Sequence, residues 1–343
     1  HFAWTCGAVH GATPQLANVA AGSGHHRVFA SENMNALAAL ITRQILEEGP
    51  MSLASYMQLC LLHPEHGYYA TRAPLGAQGD FTTAPEISQM FGELLGLCLA
   101  QYWRDMLRAT AGVDGFAAKT YLIEASATLR DIQAETLKDQ DVIWLNSVDD
   151  LPDTPLFLVA NEFFDALPIR QFQREHNGWS ERRISAADGL CFGLTEPRQE
   201  AALAHRQADT KTGNIVEICP QAGPIVEAIS TRINTKGGGA IITDYGDWRS
   251  LGDTFQAVKN HASVSPFDTP GEADLPAHVD FEALRLAANC KVSDMVTQGV
   301  LLERLGIVQR AQALAQNLSD AALQSHIAGF ERFFAEDDDP AYL

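Results

Sequence analysis

Apolar residues in this chain change period several times, and each change marks a predicted element. Leu37, Leu40, Ile41 and Ile45 recur at helical spacing and stop at Gly49-Pro50, which predicts a first helix beginning near Met34. A second runs from a Ser52 cap through Tyr56, Leu59 and Cys60 to His63-Pro64. Thr83 and Glu86 have capping-box spacing with Pro85 in the first turn, so Glu86 reads as a cap rather than a catalyst. Ile87, Met90, Phe91, Leu94 and Leu95 then line one face of a helix that runs past Trp103 into Leu107. In front of that cap, Leu75 to Phe81 is a Gly-rich loop carrying Asp80.

The middle of the chain alternates short apolar runs with helical stripes. Tyr121-Leu122-Ile123 is a strand ending at Glu124, and Leu129, Ile132, Gln133 and Leu137 mark the helix after it. Val142-Ile143-Trp144 is the next strand, and the fully apolar Leu156 to Ala160 leads into Asn161-Glu162. A helix around Ile225 to Ile233, then Gly237-Gly238-Gly239, precedes a fourth strand, Ala240 to Asp244. This order predicts an open parallel sheet covered by helices. Ligands in such sheets bind beyond the carboxyl ends of the strands, where this chain places Glu124, Asn146, Asn161, Glu162 and Asp244. Between the third and fourth strands the period falls to two. Gln171 to Arg174 and Trp179 to Arg182 flank His176-Asn177-Gly178, and Asp188-Gly189 offers a second turn, so an inserted antiparallel meander is expected. It is either a substrate face or a plain decoration of the core.

Composition narrows the function classes. The chain has 343 residues, 46% hydrophobic and 20% charged, with no apolar run long enough to span a membrane. Its net charge of -19 argues against a nucleic-acid surface and is compatible with a basic peptide partner or with simple solubility. The six cysteines show no metal spacing and read as buried, reduced thiols. His278 and Asp280 are spaced as a metal pair could be, but no third ligand is assignable, and a structural role in a polar loop is the expectation.

Several ordered stretches resemble the MidA family of S-adenosylmethionine (SAM)-dependent methyltransferases. They are Gly76 to Gly92, Leu122-Ile123-Glu124 followed by Ser126, Leu129, Arg130 and Gln133, and Asn161 to Pro168. Asp244-Tyr245-Gly246, Gly252 to Ala257, Gly271 to Phe281 and Thr297-Gln298-Gly299 complete the likeness, which covers most of residues 34–320. The resemblance implies an α/β fold: a Rossmann-like class I methyltransferase sheet with an N-terminal helical region and the inserted β meander. It also implies SAM as cofactor and symmetric dimethylation of a protein arginine, which in mitochondria supports assembly of respiratory complex I. The expected location is cytoplasmic in a bacterium and the mitochondrial matrix in a eukaryote. No targeting signal is recognisable in the sequence.

The expected organisation is a tail over 1–33, a helical region with a SAM-site loop over 34–110, and an α/β core over 111–330. The meander occupies about 169–215, and 331–343 is an acidic tail that does not resemble the family's closing strand. One internal departure is larger. Family members carry a strand ending in a Glu-Leu-Gly-Pro-Gly-Arg-Gly type loop before the stretch matching Leu107-Arg108-Ala109, whereas here Tyr102-Trp103-Arg104 runs directly into Asp105. The alternative reading is therefore a catalytically impaired relative that acts as a binding or assembly partner. A nicotinamide oxidoreductase is argued against, because no Gly-x-Gly-x-x-Gly follows a strand.

Within that resemblance the site residues divide by role. Glu124 stands where an acid accepts both ribose hydroxyls. Trp144 is set against adenine or simply in the core, and Phe81, Thr82, Asn146 and Asn161 complete the cofactor candidates. An arginine acceptor stays protonated in water, so its site must hold a cation and orient a planar fork. Glu162 and Asp165 are the carboxylates expected to do so, with Asp80 as a further candidate. Asp165, before Ala166-Leu167-Pro168, is equally a credible turn residue.

Overall fold

A computed structural model describes residues 34–72, 87–109 and 119–334. The expectations for the 1–33 tail, for Asp80, Phe81, Thr82 and the Thr83–Glu86 capping box, and for 335–343 lie outside the described residues.

Helix α1 (Ala36–Glu48) starts at Asn35, whose side chain accepts from the Ala38 amide at 2.8 Å, and ends at Gly49 with φ +93°. The short strand β1 (Met51–Ser52) leads into α2 (Leu53–Leu62), where Ser52 Oγ accepts from the Ser55 amide at 3.1 Å. A single turn, α3 (Tyr68–Thr71), follows. These elements bury Leu37, Ile41, Tyr56 and Met57 against Ile169 and Ile184 of the meander and the Ala273–Ala277 loop. The N-terminal helices thus join the meander to the C-terminal third of the chain.

The meander forms as expected. Strands β5 (Arg170–Glu175), β6 (Gly178–Ser185), β7 (Cys191–Leu194) and β8 (Ile215–Ile218) are antiparallel, and β1 pairs with Arg183 and Ile184 near the end of β6. Glu175 pairs with Gly178, so the turn residues are His176 and Asn177. Gly178 is needed for a different reason than turn chemistry, because a Cβ there would lie 2.5 Å from the Arg198 carbonyl oxygen. Cys191 is disulfide-bonded, which departs from the expectation that all six cysteines are reduced, while Cys60, Cys98, Cys219 and Cys290 are free thiols.

The four α/β strands also appear, all in parallel pairs. Strand β2 (Thr120–Ile123) pairs with β3 (Val142–Leu145), and β4 (Leu156–Asn161) pairs with β9 (Gly238–Thr243). Side chains alternate across β4 and β9 as a pleated strand requires. Phe157 meets Trp103 of α4 (Gln89–Ala109) with ring centroids 5.2 Å apart, and Ile241 packs in the same helix's core. Leu156, Leu158, Ala160 and Ile242 face the opposite way, into the clusters that include Val226 and Ile229 of α6 (Ala222–Lys236). Gly238 is fixed by this pairing, since a Cβ there would sit 1.9 Å from the Leu156 carbonyl oxygen.

One point differs from a single open sheet. Among the described residues β2 has only β3 as a ladder partner and β4 only β9, so the layer is split into two pairs. Among the described residues ahead of β2, α4 runs for 21 residues without a break. Helix α5 (Ala127–Thr136) follows β2, and Ser126 caps it by accepting from the Leu129 amide at 3.1 Å.

The C-terminal part adds the short strands β10 (Gly246–Asp247), β11 (Val258–Lys259), β12 (Ala262–Ser263) and β13 (Val279–Asp280). Helices α7 (Phe281–Ala287), α8 (Gln298–Arg304), α9 (Ile307–Ala315) and α10 (Asp320–Arg332) follow. Phe333, expected in the acidic tail, is instead 4% exposed and stacks on Phe91 of α4 at 6.0 Å. Burying two aromatic rings outweighs the charge of the residues that follow. Phe333→Ala should therefore cost about 3–5 kcal/mol in urea unfolding, and a change below about 1 kcal/mol would remove α10 from the core.

Candidate active site

A cavity of about 2080 Å³ runs between β2 and β4, with Trp103 and Ile229 on its flanks. Glu124, Asn146, Asn161 and Glu162 line it at or just past the carboxyl ends of their strands. Of the sequence-predicted residues that are described, Glu124, Asn146, Asn161, Glu162 and Asp165 are brought together around one space, and Trp144 is not. Its indole donates to Gln133 Oε1 at 3.0 Å, and it is not among the residues lining the cavity.

Glu124 is held on both oxygens. Oε1 accepts from the Ser126 amide at 2.8 Å and Oε2 from Gln133 Nε2 at 3.1 Å. On the neighbouring strand end, Asn146 Oδ1 accepts from Arg130 Nη2 at 2.7 Å, and the same guanidinium donates to the Glu124 carbonyl through Nε at 2.6 Å. Arg130 therefore ties the two strand ends together. A carboxylate and an amide are presented side by side at the carboxyl edge of a parallel pair, which is where a bound ribose is recognised in such folds.

Across the cavity, β4 ends in a sharp turn. Asn161 Oδ1 accepts from Thr243 Oγ1 at 2.8 Å, and its Nδ2 donates to Glu162 Oε1 at 3.2 Å. Glu162 itself has φ +48°, a conformation that disfavours a residue with a Cβ. The turn is held by Asp244, which accepts from the amides of Phe163 at 3.1 Å, Phe164 at 2.8 Å and Tyr245 at 2.9 Å. Strain at one residue is offset by three hydrogen bonds at its neighbours.

Asp165 is 8% exposed and lines the cavity below Glu162. Burial pushes its carboxyl well above the ordinary range, and the charges of Asp244, Asp274 and Glu162 push it further. It is also the turn residue the sequence allowed, since the Leu167 amide donates to the Phe164 carbonyl at 3.2 Å across it, and its own carbonyl accepts from the Ala277 amide at 3.0 Å. Asp274, Tyr245, Gln256 and His278 complete this wall. Of these, Asp274 and His278 lay in a patch visible in the sequence, whereas Tyr69, also on the cavity, carried no sequence signal. His278 and Asp280 part company: His278 faces the cavity, and Asp280 caps α7 by accepting from the Ala283 amide at 2.8 Å.

The fold and its cavity define a Rossmann-like, cofactor-dependent enzyme, and comparison with known proteins narrows the class. The family model for S-adenosyl-L-methionine-dependent methyltransferases matches residues 100–300. The chain is 33% identical to the zebrafish (Danio rerio) mitochondrial protein arginine methyltransferase NDUFAF7, across 84% of this chain and 80% of that protein. The human (Homo sapiens) counterpart is 32% identical over 83% of this chain and 76% of its own length. A solved protein from Burkholderia thailandensis, bound to S-adenosyl-homocysteine, superposes with a TM-score of 0.73 at 26% identity and 88% coverage of each chain. This chain belongs to the S-adenosyl-L-methionine-dependent methyltransferase family. Its cofactor is SAM, and the locked Glu124–Asn146 edge is chemically suited to a ribose.

The Asp244 carboxyl is raised to about 6, chiefly by burial and against the pull of the backbone amides of Phe164, Phe163, Tyr245 and Asp165. The folded state then binds a proton that the unfolded chain releases near pH 4, so this group favours folding at low pH. That contribution is lost as pH rises from about 4 to about 6, by up to about 3 kcal/mol. Asp244→Asn should flatten the pH dependence of the urea midpoint across that window, and parallel curves for the two proteins would refute the assignment.

Proposed function

We propose that the protein transfers methyl groups from SAM to an arginine side chain of a protein substrate, with symmetric dimethylation as the product. The observation that carries this reading is the Glu162 turn. A glutamate held at φ +48° beside the buried Asp165 puts carboxylates on the wall opposite Glu124, facing the same cavity. The names of the relatives, protein arginine methyltransferases, support the choice of acceptor.

The chemistry follows from the acceptor. Methyl transfer from a sulfonium is an in-line displacement, so alignment and desolvation supply most of the catalysis. SAM, when bound, supplies the electrophilic methyl carbon. Glu124 and Asn146 hold the ribose end, and Asn161 lines the passage to the other wall. A guanidinium is planar and permanently charged, and a carboxylate pair both neutralises and orients it. Glu162 would take up the fork, hold the positive charge on the two nitrogens it binds, and so leave electron density on the third nitrogen, which attacks. The N–H proton of that nitrogen passes to a carboxylate of this wall as the N–C bond forms and the methyl–sulfur bond breaks, leaving a methylated guanidinium and the thioether product. Burial and the neighbouring carboxylates raise the Asp165 carboxyl, and an arriving cation would offset that rise.

The acidic balance of the whole chain suits a basic peptide, and a complex I subunit is the substrate we assign by kinship. In a eukaryote a mitochondrial matrix location belongs to the same reading, since the relatives are named as mitochondrial, and in a bacterium the cytoplasm does. No described helix is long and apolar enough to cross a membrane.

Glu162→Gln keeps the size of the side chain and removes its charge. Methylation of an arginine peptide should fall by at least about 100-fold in kcat while the urea midpoint stays within experimental spread. Wild-type turnover by the variant would eliminate Glu162 from the reaction.

A further inference from the structure

Tyr69 touches both walls of the cavity. Its side chain is half-buried, and its hydroxyl donates to Asp274 Oδ1 at 2.8 Å. Its carbonyl accepts from Ser126 Oγ at 2.6 Å, and the next carbonyl, of Ala70, accepts from Thr128 Oγ1 at 2.9 Å. Ser126 is also the residue whose amide holds Glu124. The single turn α3 is therefore braced against the ribose-side strand end through its backbone and against the acidic wall through one phenol.

Asp274 is placed with equal care. It is 7% exposed and lines the cavity, and its backbone N–H and C=O both pair with Val258 at 2.9 Å. Its charge reaches Asp165, where it helps to raise that carboxyl. Two buried carboxyls that feel each other, one gripped by a phenol, are costly to ionise together and fit a cation between them.

We propose that Asp274 is a further carboxylate contact for the acceptor guanidinium and that Tyr69 is its positioning residue, coupling acceptor geometry to the Glu124 wall. The proposal rests on the arginine reading of the site and extends it to two residues outside the strand-end set. Because the phenol and the carboxylate act in series, their losses should not add.

The test uses the full chain with SAM and two peptides of identical sequence apart from one arginine or lysine. Tyr69→Phe removes only the hydroxyl, and Asp274→Asn keeps an acceptor for that hydroxyl but removes the charge. Each should raise KM for the arginine peptide about tenfold or more, the loss expected for one buried charged hydrogen bond, while the affinity for S-adenosyl-homocysteine stays within about twofold. The double variant should be no worse than Asp274→Asn alone. An unchanged KM in either variant, or additive losses in the double one, overturns the proposal while a wild-type preference for arginine leaves the acceptor assignment standing. A wild-type protein indifferent to arginine over lysine overturns both. Urea midpoints identify any variant that has merely lost stability, and free Tyr69→Phe enzyme with normal KM but a low midpoint counts against the proposal.

Discussion

The arrangement of this site depends on one carboxylate. Asp244, at the end of β9, collects the amides of Phe163, Phe164 and Tyr245, and those three bonds stitch the exits of two parallel strands into a single rigid corner. Without them, the chain after β4 would have no reason to keep Glu162 in a left-handed conformation or to fold Asp165 inward. The register of β4 against β9 makes the bond geometry possible, since Asn161 pairs with Thr243 and the next residue on each strand becomes Glu162 and Asp244. The local motif therefore works only because two segments about eighty residues apart are in step.

Much of this was legible in the sequence. Four parallel strands, the meander and the strand-end residues Glu124, Asn146, Asn161 and Glu162 all follow from apolar period and position. Strand ends are easily read because burial stops there and polar residues begin. What periodicity does not carry is long-range partnership. Trp144 could be read equally as set against adenine or as core packing, and the partner that the sequence left out is Gln133, to which its indole donates. Phe333 looked like part of an acidic tail because its neighbours are charged, yet it packs on Phe91 from a distant helix. Tyr69 gave no sign at all, since its importance lies in two hydrogen bonds to residues more than fifty positions away.

The split of the α/β layer has a physical consequence for the site. In a continuous sheet, hydrogen bonds would carry the spacing between the Glu124 end and the Glu162 end. Here the two pairs are held by what lies around them. Helix α4 and helix α6 clamp β4 and β9, while the α3 brace on Ser126 and Thr128 ties β2's far end to the N-terminal helices. Those helices rest on the meander and on the Ala273–Ala277 loop that carries Asp274. The meander is thus part of the frame around the two walls, through the packing of Ile169 and Ile184 on those helices.

The central claim is that this frame still presents a working SAM site although the layer is divided between β2 and β4. Calorimetric titration of S-adenosyl-homocysteine into the purified full chain, its intact mass checked first, measures that directly. The account predicts one site of micromolar affinity. A folded sample of the right mass that gives no heat would contradict it.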